Sequence, residues 1–146
     1  MTHQEERGLL LRVMTRLAQT QLEKDGFIPF GGVLGSKRDV QLVMLKGWKQ
    51  NSTRDEVEGY WTRELKKYAV QDGCRVVCFC ADVRVPKDDG QLVPAVLIHI
   101  EHVEAESEDM LYPYHKEDDA KVVFGKPTSV ARQHMVLTGP SEPPHG

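Results

Sequence analysis

The sequence predicts an α+β domain, a two-layer sandwich in which two helices pack on one face of an antiparallel sheet of five or six strands. Two segments carry apolar residues at three- and four-residue spacing, which is typical of amphipathic helices. The other apolar segments are short, rich in β-branched and aromatic residues, and separated by glycine-containing turns, as in hairpins. The chain of 146 residues is 40% hydrophobic and 28% charged, close to the average for globular proteins.

The first helix and a hairpin occupy the N-terminal third of the chain. We expect the helix to end near Asp25 and Gly26, because glycine adopts the left-handed conformation that closes many helices. Residues 27–34 and 40–45 then read as two strands, joined by a loop of hairpin length that contains Gly35. The apolar positions of the helix are Leu9, Leu10, Val13, Met14, Leu17, Ala18 and Leu22.

The second helix has the clearest local signal. Thr53 and Glu56 have the spacing of a capping box, in which each side chain bonds the other's backbone amide. We expect the helix to end at Asp72 and Gly73. Its apolar stripe consists of Val57, Tyr60, Trp61, Leu65, Tyr68 and Ala69.

The C-terminal half reads as strands. Residues 74–85 and 93–103 form two long strands around a turn at 87–90, and shorter strands are predicted at 110–112 and 122–124. The element order is therefore α-β-β-α-β-β-β, with one further short strand. This order looks like the profilin-like and roadblock/longin-like scaffolds, an analogy that concerns the fold alone.

The length of the chain fits a single domain, which we assign to residues 1–138. Residues 139–146 hold Pro140, Pro143 and Pro144 and have too little apolar surface to repay ordering. We therefore predict a disordered tail.

Charge and hydropathy exclude two classes of partner. The net charge of −3 is the sum of +3 over residues 1–70 and −6 over residues 71–146, without a run of Lys or Arg. Nucleic-acid binding is not expected, because it depends on clustered cations. The longest apolar stretches are far shorter than the roughly 20 residues that span a bilayer, so no membrane association is expected.

Three cysteines, Cys74, Cys78 and Cys80, lie within seven residues. Their odd number and strand spacing argue against a disulfide framework and favour a reducing cytoplasm. Structural zinc sites place two cysteines on a tight knuckle, whereas an extended strand separates Cys78 from Cys80 by about 7 Å. We interpret the three as small buried hydrophobes and predict neither a metal nor a cofactor.

Four short motifs resemble a set of small bacterial proteins without an assigned function. They are Pro29-Phe30-Gly31, Cys80-Ala81-Asp82-Val83, Ile100-Glu101-His102 and Tyr112-Pro113-Tyr114. The resemblance covers residues 8–127. It implies the same strand order and a bacterial cytoplasmic setting, and no activity.

The polar residues of the fourth strand are the first candidates for chemistry. Alternation places His99 and Glu101 on one face with Leu97 and Val103, and His102 on the other with Val96, Ile98 and Ile100. A carboxylate beside an imidazole can orient the ring and raise its proton affinity for acid-base catalysis. The alternative is a solvated strand end, and we interpret the acidic residues from Glu104 to Asp109 as a solvated loop.

A second polar group follows at Tyr112, Tyr114 and His115, where Pro113 stiffens the chain. These side chains either line a pocket or cover the open end of a small core. The candidate pocket consists of His99, Glu101, Tyr112, Tyr114 and His115.

The sequence offers no complete catalytic set, and we assign no catalytic residue. We predict a non-enzymatic binding or protein-interaction domain that uses a sheet face or edge, with a second copy or another protein as partner. The alternative is a small-molecule pocket or modest acid-base enzyme built on the His, Glu and Tyr residues. A flat apolar patch or free sheet edge favours the first function, and a cavity where those side chains converge favours the second.

Overall fold

A computed structural model describes residues 2–24, 26–44, 53–71 and 73–137. It is an α+β fold with two helices and an open antiparallel sheet. The helices are α1 (His3–Glu23) and α2 (Arg54–Ala69). The strands are β1 (Phe30–Gly35), β2 (Val40–Met44), β3 (Cys74–Pro86), β4 (Leu92–His102), β5 (Ser107–Lys116), β6 (Val122–Phe124) and β7 (Thr128–Arg132).

Both helices begin at capping boxes. The predicted box at Thr53 and Glu56 is confirmed, and Thr2 and Glu5 form a second one at the start of α1. Each box satisfies two backbone amides that the first helical turn leaves without partners. The helical stripes are confirmed as the buried faces of α1 and α2.

The sheet has the order β2-β1-β3-β4-β5-β6. The strand β7 pairs with the first half of β5, and β6 pairs with its last three residues, so β6 and β7 follow one another along the same edge. The predicted strand order is confirmed as far as β6. The sequence did not predict β7, because its five residues are mostly exposed and follow Pro127 without a clear alternation.

The prediction that both helices cover one face of the sheet is wrong. A Cβ atom on Gly31 would lie 2.8 Å from the ring of Trp61 in α2, whereas one on its neighbour Gly32 would lie 2.9 Å from the sulfur of Met14 in α1. Successive strand residues point to opposite faces, so the helices lie on opposite sides of the sheet. The physical reason is the continuous apolar run of β3, whose residues 76–81 are buried on both faces and need cover on both.

Each face has its own apolar core. On the α1 face, α1 packs over even-numbered strand residues such as Val76, Cys78 and Ile98. On the α2 face, Trp61 and Leu65 of α2 pack over odd-numbered residues such as Phe79, together with Val136 and Leu137 from the segment after β7.

The first helix also reaches the far end of the sheet. The side chain of Gln19 donates to the carbonyl oxygen of Val122 at 2.9 Å, and the amide of Val122 donates to Glu23 at 2.8 Å. These two bonds fix β6 beside α1.

Several predictions fall outside the described residues. They concern Asp25, residues 45–50, Asp72 and the tail at 139–146. In the part of the chain that is described, neither helix has the length and apolar character needed to cross a membrane.

Candidate functional site

The α2 face carries a chain of charged side chains, buried at its centre and partly exposed at Arg132 and Glu58, that we call the His99 cluster. It comprises Glu58, His99, Glu101, Asp109 and Arg132. The alternation of β4 turns His99 and Glu101 to this face, and the register with β5 sets Asp109 directly opposite His99. The predicted division of β4 into two faces is thereby confirmed.

The imidazole of His99 lies between two carboxylates. Its Nδ1 is 2.7 Å from Oδ1 of Asp109, and its Nε2 is 2.6 Å from Oε2 of Glu101. An ionised carboxylate only accepts hydrogen bonds, so with Asp109 and Glu101 both ionised each ring nitrogen donates a proton and the ring is a doubly protonated imidazolium. The ring of Phe79 stacks on it with centroids 5.1 Å apart.

The cluster continues to α2 through Arg132. This side chain bonds Oδ2 of Asp109 from Nη1 at 2.6 Å, and its Nη2 lies 3.1 Å from Oε1 of Glu58. Charges therefore alternate from Glu58 through Arg132, Asp109 and His99 to Glu101. Each charge therefore has an oppositely charged neighbour, which offsets part of the cost of removing it from water.

At its other end the cluster holds the segment that follows β7. The carboxylate of Glu101 accepts hydrogen bonds from three consecutive amides, those of Met135, Val136 and Leu137, at distances from 2.8 to 3.2 Å. Such charge-assisted bonds are among the stronger ones in proteins. Val136 and Leu137 in turn pack into the α2-face core.

The surroundings shift the pKa values of all three central groups. Burial opposes the charge of His99, but its hydrogen bonds to Asp109 and Glu101 outweigh burial and raise its pKa. Burial likewise opposes ionisation of Glu101 and Asp109. For Glu101, His99 and the amides of Leu137 and Met135 lower the pKa, and for Asp109 the bond to His99 and the charge of Arg132 do so.

This arrangement is suited to holding structure together and not to catalysis. His99 and Glu101 are fully buried and Asp109 is 3% exposed. Both ring nitrogens of His99 are occupied by carboxylates, so neither is available to move a proton to or from a substrate. The predictions of a solvated strand end and a solvated acidic loop are wrong for Glu101 and Asp109.

A second buried histidine lies on the α1 face. Nε2 of His102 is 3.0 Å from Oε1 of Glu6 in α1, and its Nδ1 accepts from the amide of Glu104 at 2.9 Å. Arg75 bonds both Glu6 and Glu104, and its bond to Glu6 is the main reason that the pKa of Glu6 is lowered. This group joins the start of α1 to the ends of β3 and β4.

The structure does not bring the five candidate pocket residues together. His99 and Glu101 lie on the α2 face, whereas Tyr112 and Tyr114 pack against the core of the α1 face. The hydroxyl of Tyr114 donates to Asp82 at 2.8 Å. Burial, and to a smaller extent this hydrogen bond, raise the pKa of Tyr114 to about 12. His115 is exposed, 3.4 Å from Glu117. Covering a core is therefore the reading that the geometry favours for the two tyrosines.

The sequence did not predict three members of the His99 cluster as site residues: Glu58, Asp109 and Arg132. Asp109 could have been predicted, because a short turn between two antiparallel strands fixes their register, and the β4–β5 register pairs Asp109 with His99. No signal existed for Arg132 and Glu58, since their contacts depend on β7 and on which face α2 covers.

A concave cavity of about 550 Å³ lies on the α2 face beside the cluster. Its floor includes Ala81, Val83, Leu97 and Leu111, and the N-terminal part of α2 forms one wall with Val57 and Glu58. The volume falls within the range of small-molecule sites.

The cysteines pack as small apolar groups. Cys78 and Cys80 are fully buried in the α1-face core, where burial raises the pKa of both thiols. Among the residues that the structure describes, no three His, Cys, Asp or Glu side chains are grouped as metal ligands.

Comparisons with known proteins add no relative. A scan against protein-family models found no match, and searches of curated proteins and of solved structures found no significant one. The class of this protein therefore rests on its fold alone, which is an α+β fold with a helix on each face of an antiparallel sheet.

Proposed function

We propose that this chain is a non-enzymatic protein-interaction domain of a bacterial cytoplasmic protein, and that it pairs with a second copy through β2. The observation that carries the proposal is the composition of this edge strand. Its five residues, Val40 to Met44, include no charge, and each is at least partly exposed. The cytoplasmic setting is supported by three free thiols, and the bacterial origin by the sequence resemblance alone.

Solvent-facing edge strands usually carry devices against pairing, such as lysine, proline or bulges. In β2 the side chains of Leu42 and Met44 are instead 42% and 52% exposed. Both β2 residues lie opposite α1-face residues of β1, Gly32 and Phe30. They form an apolar strip beside α1 at the edge of the sheet.

The backbone of β2 can accept another strand. The amide of Gly35 bonds the carbonyl of Asp39, so Gln41 and Val43, at even spacing from Asp39, direct their backbone groups toward β1. Val40, Leu42 and Met44 then direct theirs outward, where no described residue pairs with them. An uncharged strand can meet its own copy without opposing like charges.

The alternative of an acid-base enzyme has weaker support. It requires His99 and Glu101 to reach a substrate, but both are fully buried and paired with other groups of the protein. Tyr112, Tyr114 and His115 belong to other surfaces.

Light scattering after gel filtration tests the proposal. At about 100 μM, a concentration chosen for weak pairing, we expect a mass of twice 16.5 kDa. Leu42→Lys places a charge on the pairing edge and should give a monomer. Val130→Lys, at a 55% exposed valine on β7, is the matched control and should leave the dimer intact.

Both substitutions replace exposed side chains and should leave the chain folded. Urea unfolding of each variant checks this, so that a loss of the dimer is not mistaken for a loss of the fold. A parent protein that remains monomeric at this concentration contradicts the proposal. So does a dimer that Leu42→Lys leaves unchanged and Val130→Lys dissociates.

A further inference from the structure

We propose that the cavity on the α2 face binds a small organic amine, a molecule with an apolar body and one cationic head group near Glu58. The proposal is independent of pairing through β2. It rests on the shape of the cavity, on the apolar character of its floor and on the charge that remains at one wall.

The floor of the cavity is the part of the sheet that lies beside the N-terminal part of α2. The strand β3 continues past the N-terminal part of α2 with Ala81, Val83 and Val85, and Leu97 of β4 and Leu111 of β5 extend the same surface. Phe27 and Pro29, from the segment before β1, also line the cavity. An apolar floor within a concave site favours an apolar ligand body, because enclosure removes most of its surface from water.

Three charged residues line the cavity: Glu58, Asp82 and Arg84. Nη1 of Arg84 lies 2.8 Å from Oδ1 of Asp82, so the charges of this pair offset each other. Glu58 is therefore the residue that decides the polarity of the lining.

The environment of Glu58 retains negative charge. The His99 cluster holds three carboxylates, Glu58, Glu101 and Asp109, against two cations, Arg132 and protonated His99. The three amides of residues 135–137 compensate Glu101 at the far end. The His99 cluster therefore has an excess of one negative charge, and a cation in the cavity could neutralise it at Glu58, which lines the cavity.

The nearby end of α2 does not favour an anion instead. A free helix N-terminus attracts anions through its unpaired amides. Here the amide of Glu56 donates to the side chain of Thr53, and that of Val57 donates to the carbonyl of Thr53. Asp55 and Glu56 add two acidic side chains to the same turn. A cation is the favoured head group.

Three probes with the same aromatic body test the charge preference: 1-naphthylmethylamine, 1-naphthylmethanol and 1-naphthylacetate. Isothermal titration calorimetry at pH 7 should give the amine a dissociation constant about tenfold below that of the alcohol, because a charge-assisted hydrogen bond is roughly twice as strong as a neutral one. The anionic acetate should bind most weakly of the three.

Two substitutions locate the site. Glu58→Gln removes the charge and should bring the amine and the alcohol to within about twofold of each other, whereas the control Glu64→Gln on the same helix should keep the preference. Val83→Trp fills the cavity and should abolish binding of both. Leu92→Trp, at a 64% exposed position that is not part of the lining, should change nothing.

Each opposite outcome overturns the proposal. These are no binding of any probe at millimolar concentration, tightest binding of the acetate, an amine preference that survives Glu58→Gln, or binding that survives Val83→Trp. Measurements on the unmodified protein decide the first two, so the test does not depend on the variants folding.

Discussion

The two faces of the sheet are stabilised in different ways. On the α1 face, a 21-residue helix covers an almost wholly apolar core that reaches from β1 to β6. On the α2 face, the 16-residue helix covers β1 and β3, and the surface of β4 and β5 beyond it is held by the His99 cluster and residues 135–137.

The difference shows what a sheet buried on both sides requires when one helix is short. Apolar packing needs a continuous cover, and α2 does not supply one across β4. A short irregular segment can cover that surface only if its backbone amides are bonded, because unpaired buried amides cost stability. Glu101 supplies the acceptors, and His99 and Arg132 balance the charges.

The largest expected effect follows from breaking the cluster at Glu101. Glu101→Ala leaves the imidazolium of His99 with one carboxylate and three amides without acceptors, so it should destabilise the fold by about 3–5 kcal/mol. Urea unfolding followed by circular dichroism measures this. The control Glu106→Ala, at an exposed residue of the β4–β5 turn, should stay within about 0.5 kcal/mol. A cost below about 1 kcal/mol for Glu101→Ala would show that the α2 face does not depend on the cluster.

An intermediate effect compares the two helix contacts at adjacent glycines. In Gly31→Ala the new methyl group meets the rigid indole of Trp61 and the carbonyl oxygen of Cys78, whereas in Gly32→Ala it meets the flexible side chains of Met14 and Leu10. We expect Gly31→Ala to cost about 2–3 kcal/mol and Gly32→Ala about 1 kcal/mol. Thermal unfolding of both variants gives the order, and the reverse order would mean that the α1 face is the more tightly packed one.

The smallest effect is the pH dependence of the His99 cluster. A raised pKa in the folded state gives His99 a stabilising contribution that is complete below its ordinary pKa of 6.5 and is lost as pH rises toward the folded-state value. The free energy of unfolding should therefore fall as the pH rises above 6.5. The lowered pKa values of Glu101 and Asp109 act in the acidic range, where stability falls as pH drops below their ordinary values of 4.5 and 3.8.

Urea titrations at pH 6, 7 and 8 measure this slope. His115→Asn removes an exposed histidine outside the cluster and should leave it unchanged. A free energy that is constant or rises over this interval would mean that His99 does not gain protons on folding.

The sequence predicted what depends on local periodicity. The helices, the order of the strands as far as β6 and the division of β4 into two faces follow from spacing along the chain. It did not predict which face each helix covers, because a stripe on α2 does not specify its side of the sheet. It also missed the partners of His99, since Asp109 and Arg132 reach it only through cross-strand register and through β7.

The bonds from Gln19 and Glu23 to Val122 have a consequence for the kinetics of folding. They join residues about a hundred positions apart in the chain, the separation of the first pair being 103. Contacts of such range close large loops and slow the formation of the native state. On the ribosome, α1 emerges before β6, so these two side chains have no partner on β6 until that strand has been synthesised. We therefore expect α1 to dock early on β1 and β3, and its C-terminal half to become fixed only when the far edge of the sheet is complete.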